Sequence, residues 1–440
     1  MLQLGEFIQP SEDVCLKRYL SNLNESEIKP DNIPFTLHIM TITDVIDLDT
    51  PIRIVSEMFQ YENTYVKRYV HYNYYVARVK DNLKSFVFGS LDRGKKDILF
   101  DGIIYMTGKM HFVDGGIIWG PKRANKWDML KTSSLADKWG MSKWELEEKY
   151  LYYTEDDIEP RSYHNDSINI NKHDKPSFIE VWRQQMNVLE GVTSKRQYTN
   201  EWYTKIKKVC TINVYLDAYL MEKVYNYNIK KAIHELIILY GSLDFLYRII
   251  DFYGVGKANH FGFQIAKITV DKNKKSDEVL SEKYVRFISS LNLGNDRCLG
   301  VSFTYQKLEG FIGKGFHGTE DSGIFIDNKD EIFIRYNWNV AYVNYMIPDT
   351  RTIRKRGGIL NILAHEVGHI FGAVHEQETS CYRHNNLLMT IRMTEANRFD
   401  NFQFSKCNIK LMKKIIEMRI DKFVKCPHIL SEYYKYIVYP

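Results

Sequence analysis

No stretch of this chain reaches the roughly 18 uninterrupted apolar residues that a membrane-crossing helix needs. Its greasiest segment, AIHELIILYGSLDFLYRII, is broken by His234, Glu235, Asp244 and Arg248. No membrane anchor is expected. The N-terminal segment MLQLGEFIQPSEDVCLKRYL has no basic stretch leading into an apolar run, so no secretory leader is expected either. Charge of one sign is also missing, since 60 basic residues are interspersed with 55 acidic ones for a net charge of +5. That balance gives no basis for a nucleic acid or a membrane surface as partner. Proline is scarce, at 10 residues, and the six cysteines include no CxxC pair. A thiolate zinc site is thereby excluded, which leaves disulfides or free thiols.

What is present is ordinary globular material, 44% hydrophobic and 26% charged, able to bury a core. A length of 440 residues exceeds the about 250–300 that one core organises, so two domains and a linker are expected. Residues 34–115 hold short apolar runs (FTLHIMTI, YYVARV, SFVFGSL, DGIIYMTG, KMHFV) punctuated by Gly89, Asp92, Gly94, Asp101, Gly102 and Gly108. This reads as a β-rich domain of hairpins over residues 1–120. Residues 121–203 turn polar and read as a partly helical linker. From 204 to 426 the pattern changes again. Ile212, Val214 and Leu216 alternate as in a strand, and apolar residues recur from Ile229 to Ile250 at the spacing of a long amphipathic helix. GFQIAKITV and CLGVSFTY read as two more strands. A helix over residues 358–371 follows, then a last one over 408–422 with Ile409, Met412, Ile416 and Ile420 on one stripe. These describe an α/β layer, followed by a tail from 427 to 440.

Chemistry is concentrated in HEVGHIFGAVH, which supplies His365, Glu366, His369, Gly372 and His375. Two histidines four residues apart on a helix share one face, at a separation that suits one metal ion. Gly372 can take a positive φ, stop the helix and turn the chain so that His375 reaches the same ion. Three neutral imidazoles leave Zn²⁺ its charge and an open position, where a bound water becomes a nucleophile near neutral pH. Glu366, beside the first ligand, can take that water's proton and pass it to the leaving amine. Fourteen residues after His375 stands Met389 in NNLLMT, the methionine turn that accompanies HExxHxxGxxH sites. The reading is a zinc-dependent metalloendopeptidase with one catalytic ion, acting on internal bonds of protein or peptide substrates. The alternatives are a zinc-binding pseudoprotease or an interaction module that cuts nothing.

With these residues placed, residues 204–426 resemble the catalytic domain of the reprolysin (ADAM) metalloproteases, metzincins, most nearly the sheddase branch of Kuzbanian and the TNF-α-converting enzyme. The likeness extends through VCTINVYLDAYL, LDFLYRIIDFYGVGKANHFGFQIAKITV, CLGVSFTYQKLEGFIGKGFHG and NFQFSKC. It implies a metzincin fold, a mixed twisted sheet with an active-site helix. SFVFGSLDRGKKDILFDGIIYMTGKMHFV is similar to that branch's β-rich prodomain. The resemblance further implies a substrate-pairing edge strand in EGFIGKGF, with Gly313 and Gly315. It implies an S1′ wall at Ile391, Arg392 and Met393 that takes an apolar P1′ residue; Arg392 either tunes the depth of that pocket or is a solvated loop residue. It implies disulfides Cys210–Cys298 and Cys381–Cys407, which suit a secretory or extracellular setting if the chain is exported by another route.

Four features depart from the family pattern. Glu376 follows the third histidine, where reprolysins carry Asp. Residues 121–209 hold no cysteine to cap the zinc. Ser322 to Phe325 (SGIF) stands where the sheddases place the usual partner of Cys426. The sequence ends at Pro440 without the family's disintegrin, cysteine-rich or transmembrane parts, so a membrane-tethered sheddase is not expected. Cys15 and Cys426 are read as free thiols, the alternatives being a bridge between them or Cys15 as an unconventional zinc cap.

Overall fold

A computed structural model of the chain describes residues 27–42, 49–56, 60–70, 74–82, 84–93, 98–106, 108–115, 150–154, 206–252, 261–273, 297–306, 312–326, 338–347, 353–381, 387–390 and 402–427, with a few single positions between them. Cys15, the polar segment apart from 150–154, residues Ile391, Arg392 and Met393, and the tail beyond 427 lie outside the described residues.

Two sheets dominate. The first runs in the order β1 (Glu27–Ile28), β2 (Leu37–Ile42), β5 (Tyr74–Val79), β6 (Phe86–Arg93), β7 (Ile98–Met106), β8 (Lys109–Gly115), β9 (Tyr150–Thr154), antiparallel throughout. The second is mixed. Its order is β13 (Gly313–Gly315), β14 (Val340–Asn344), β12 (Leu299–Thr304), β10 (Ile206–Leu216), β11 (Phe261–Asp271), β3 (Pro51–Ser56), β4 (Gln60–Tyr65), and β15 (Val424–Pro427) joins the start of β10. Strands β14, β12, β10, β11 and β3 are parallel to one another, whereas β13, β4 and β15 run against their neighbours.

Four α-helices are described: α1 (Ala218–Lys223), α2 (Ile229–Arg248), α3 (Arg356–Ile370) and α4 (Lys406–Met418). Helix α2 starts where the Asn228 side chain accepts the Lys231 N–H at 3.2 Å, satisfying one of the donors that a helix N-terminus leaves open. The apolar spacing predicts an amphipathic helix here, but α2 is buried nearly all round. The reason is a second covering layer. One flank packs on β11 of the mixed sheet, and the other meets the first sheet, where Phe86 stacks on Phe245 with ring centroids 3.9 Å apart.

The β-rich region departs from its sequence reading in two ways. PIRIVS and QYENTY, not among the runs that the sequence reading picked out, form β3 and β4 and belong to the mixed sheet. Gly89, Asp92, Asp101 and Gly102, read as turn punctuation, lie inside β6 and β7. There Gly89 pairs with Gly102, and Asp101 is held by the buried Arg356 and His234. Gly108 does sit at a hairpin turn, with φ +81°. One face of the first sheet (Tyr74, Val76, Phe86, Phe88, Ile103, Tyr105, Met110, Phe112) merges into the core of the mixed sheet and its helices. Its other face builds a smaller cluster around Val87, Leu91, Phe100, Ile104 and Val113.

Candidate metal centre

Helix α3 carries His365 and His369 one turn apart, with ring centroids 4.7 Å from each other. The helix ends at Phe371, and Gly372 takes φ +96°. The Gly372 N–H donates to the His369 carbonyl at 2.8 Å and the Ala373 N–H to the Gly368 carbonyl at 2.9 Å. This pair of bonds reverses the chain at a helix C-terminus. The reversal returns His375 to within 4.7 Å of His369 and 5.5 Å of His365, centroid to centroid. One nitrogen from each of the three rings lies within 4.8 Å of the other two.

The tautomers follow from the bonds. His365 Nδ1 lies 2.7 Å from the Leu388 carbonyl oxygen, and His369 Nδ1 lies 2.9 Å from that of Ala373. A carbonyl can only accept, so each Nδ1 carries the hydrogen and each Nε2 keeps its lone pair. Those two Nε2 atoms nevertheless lie 3.1 Å apart, and His375 Nε2 is buried without a hydrogen-bond partner among the described residues. Converging lone pairs with no proton between them repel unless a cation sits among them. The donor set therefore fits a metal ion. Burial, reinforced by the neighbouring His375 and His317, holds His369 far below the usual histidine range and keeps it neutral. His317, which the sequence reading did not single out, is pushed down to about 4 mainly by burial. Its ring stands 6.3 Å from that of His369.

Glu366 is buried beside this cradle. The edge strand β13 crosses directly over it. A Cβ on Gly313 would stand 2.7 Å from Glu366 Oε1, and one on Gly315 would stand 2.6 Å from the Glu366 carbonyl oxygen. Only residues without a side chain allow the strand to lie this close.

Beneath the histidines, residues 387–390 make a turn closed by the Thr390 N–H on the Leu387 carbonyl at 3.0 Å. The fully buried Met389 fills the space against Gly368, where an added Cβ would meet Met389 Sδ at 2.9 Å. Glu376 is tied to this turn by its N–H on the Met389 carbonyl at 3.0 Å. Its side chain reaches Asn408 in α4, whose Nδ2 donates to Glu376 Oε1 at 2.7 Å. The same Asn408 amide binds both polar groups of Val374, at 2.8 and 2.9 Å. The residues on either side of His375 are thus gripped by one side chain. Burial pushes the Glu376 carboxyl up, and bonds from Asn408 and Ser405 draw it part of the way back.

Cys381 is joined to Cys407, next to Asn408, with Cα atoms 5.9 Å apart. Cys210 is joined to Cys298 with Cα atoms 5.1 Å apart, linking the mixed sheet at β10 to the start of β12. Near SGIF, the Phe325 ring packs edge-on against Phe423 at 4.9 Å.

Residues 250–418 match the family described as metallo-peptidase family M12B, reprolysin-like. This segment is similar to the reprolysin-like metallopeptidases. The reprolysin-like segment and its surroundings are also similar to curated relatives named disintegrin and metalloproteinase domain-containing protein 10. The Homo sapiens protein is 23% identical over 58% of this chain and 39% of its own length. The Bos taurus protein is 23% identical over 61% and 39%, and the Mus musculus protein 24% identical over 40% and 26%. The chain therefore spans between a quarter and two fifths of the length of these relatives. A solved structure titled "Structure of a chaperone-substrate complex" overlaps 48% of this chain and 36% of its own at 10% identity with a TM-score of 0.30. The M12B family implies a metzincin fold, with which the mixed sheet and its few helices agree. Among the described residues no helix is long and apolar enough to cross a membrane.

Proposed function

We propose that the chain is a zinc-dependent metalloendopeptidase that hydrolyses internal peptide bonds of protein substrates. The observation that carries this reading is the convergence of three imidazoles, that of His365 buried and those of His369 and His375 partly so, beside the buried carboxylate of Glu366, within a reprolysin-like segment. His365, His369 and His375 would hold the ion through Nε2. Zinc, when bound, supplies a Lewis acid and brings the acidity of a water into the neutral range. Glu366 accepts a proton from the attacking water and returns it to the departing amine. Strand β13 ends the sheet order, so its outer edge can receive an extended substrate as an added strand, as in other edge-strand recognition. Main-chain pairing of this kind tolerates many substrate sequences. The P1′ side chain is expected to be apolar, facing Ile391, Arg392 and Met393.

In this reading residues 204–426 form the peptidase unit and residues 1–120 a prodomain-like unit. The two disulfides suit an extracellular type of protein. The test is cleavage profiling of the purified protein against a peptide library, with and without chelator, alongside metal analysis. Expected are one zinc per chain, cleavage at internal bonds with apolar P1′, and loss of cleavage on chelation with recovery on zinc addition. Active protein without zinc, or zinc-loaded protein that cuts nothing, would refute the proposal.

A further inference from the structure

The first residue of the active-site helix, Arg356, is completely buried, and its partners come from two different parts of the chain. Glu235 of α2 takes Nε and Nη2 at 2.9 and 2.7 Å. The rest come from the N-terminal sheet. Asp101 of β7 accepts from Nη1 at 2.7 Å, and the Val113 carbonyl does so at 2.9 Å. Asp114 of β8 stands 3.2 Å from Nη1. Asp114 also accepts the backbone N–H of Arg356 at 3.3 Å. Helix α3 has no cap of its own, since Lys355 makes no side-chain bond at the N-cap position. A carboxylate from the N-terminal sheet thus serves one of its open donors and faces the positive end of its dipole. The same sheet reaches α2 beside this point. His234 Nε2 donates to Asp101 Oδ2 at 3.0 Å, and its Nδ1 lies 2.7 Å from the Tyr74 hydroxyl.

Apolar contact surrounds this polar knot. Phe88 lies so close to Gly241 of α2 that an added Cβ would overlap its ring. Phe112 packs on Phe402, 5.8 Å away, next to the residue whose carbonyl accepts the Leu388 N–H. Strand β3 pairs in parallel with β11 from Ile52 with Ile268 to Val55 with Asp271, completing the mixed sheet with N-terminal chain. Separation here would open the shared core and take from the buried Arg356 Nη1 the oxygens of Asp101, Val113 and Asp114, leaving the guanidinium to Glu235 alone.

We infer that the N-terminal sheet is a permanent part of the peptidase, and that its Asp101 and Asp114 are positioning residues that fix the active-site helix through Arg356. This rests on the peptidase reading for its functional half alone. The test uses the full chain with a site for a specific protease inserted between residues 155 and 205, cut to completion as judged on a denaturing gel. Both fragments are expected to elute together on native size exclusion at the volume of the uncut chain. Asp114→Ala in the uncut chain is expected to lower turnover about tenfold or more at unchanged KM, since small displacements of reacting groups are costly. Asp114→Glu is expected to recover part of that loss. Fragments that separate under native conditions would overturn the permanence, and unchanged turnover in a folded Asp114→Ala protein would overturn the positioning role. Because co-elution needs no substrate, an inert protein would refute the peptidase reading while the elution result still decides this one.

Discussion

At the scale of single residues, the centre follows from what each neighbour can donate or accept. Glu366→Gln keeps the shape under β13 but removes the basic oxygen. Turnover is expected to fall by about 10²–10⁴ with zinc content unchanged, measured by peptide cleavage and metal analysis on one preparation. Undiminished cleavage would take Glu366 out of the mechanism. Gly315→Ala tests a different contact. The new Cβ would meet the Glu366 backbone carbonyl, which cannot rotate away, so strand and helix must part. A fall in turnover of about 10²-fold is expected, with a far-UV spectrum like that of the unchanged protein. The histidines, Glu366 and Met389 were legible in the sequence because metal chemistry ties residue type to spacing. Asn408 was not legible. Its grip on Val374 and Glu376 uses backbone groups and a carboxylate, and nothing in the local pattern of SKCN distinguishes it from a solvated helix residue. The carbonyls of Leu388 and Ala373, which fix the tautomers, carry no side-chain signal at all.

Among the elements, the reversal after α3 sets where the third imidazole arrives. Gly372→Ala places a side chain at positive φ, which costs about 1–2 kcal/mol, and its Cβ would approach Ile415 Cγ1 at 2.6 Å. The combined effect is expected to exceed the backbone cost alone and to weaken metal retention. A denaturant midpoint and a zinc-release rate equal to those of the unchanged chain would show that the turn is not held by the glycine. Sequence periodicity located the start of α2 within a residue and that of α3 within two. It misjudged the surroundings of α2, because a hydrophobic pattern reports which side chains avoid water and is silent on what covers the polar ones. Here His234, Glu235, Asp244 and Arg248 are all buried, each bonded to another buried group. Strands β3 and β4 escaped notice for the opposite reason. Gln60–Tyr65 is largely polar and lies at the end of a sheet order, where little burial is demanded.

For the molecule as a whole, the contact between the N-terminal sheet and the helices should be insensitive to mild acid. Burial alone would raise the Asp101 carboxyl, but the Arg356 guanidinium and the His234 bond outweigh it and hold it far below the usual range. A folded pKa below the unfolded value of about 3.9 gives stability that is full above that value and is lost only as pH falls toward the folded one. Asp101→Asn is therefore expected to cost about 1.5–3 kcal/mol, constant between pH 5 and 8 and shrinking below about pH 4, as read from urea unfolding at each pH. A gap that closed already at pH 6 would assign the coupling to another group. The sequence suggested two cores, since 440 residues exceed what one core organises. It could not show that one face of the first sheet is continuous with the core of the second. That continuity depends on which residues meet across long intervals of chain.

One such interval shapes how the chain is made. Strand β3 leaves the ribosome roughly two hundred residues before β11, the strand it lies against. At ~5–20 residues per second the wait lasts about ten to forty seconds. During that time one edge of the β3–β4 hairpin has open hydrogen-bonding groups, a template for pairing with the wrong chain. A nascent chain stalled before residue 261 should therefore bind holdase chaperones and aggregate on release, whereas one extended past residue 271 should do so less.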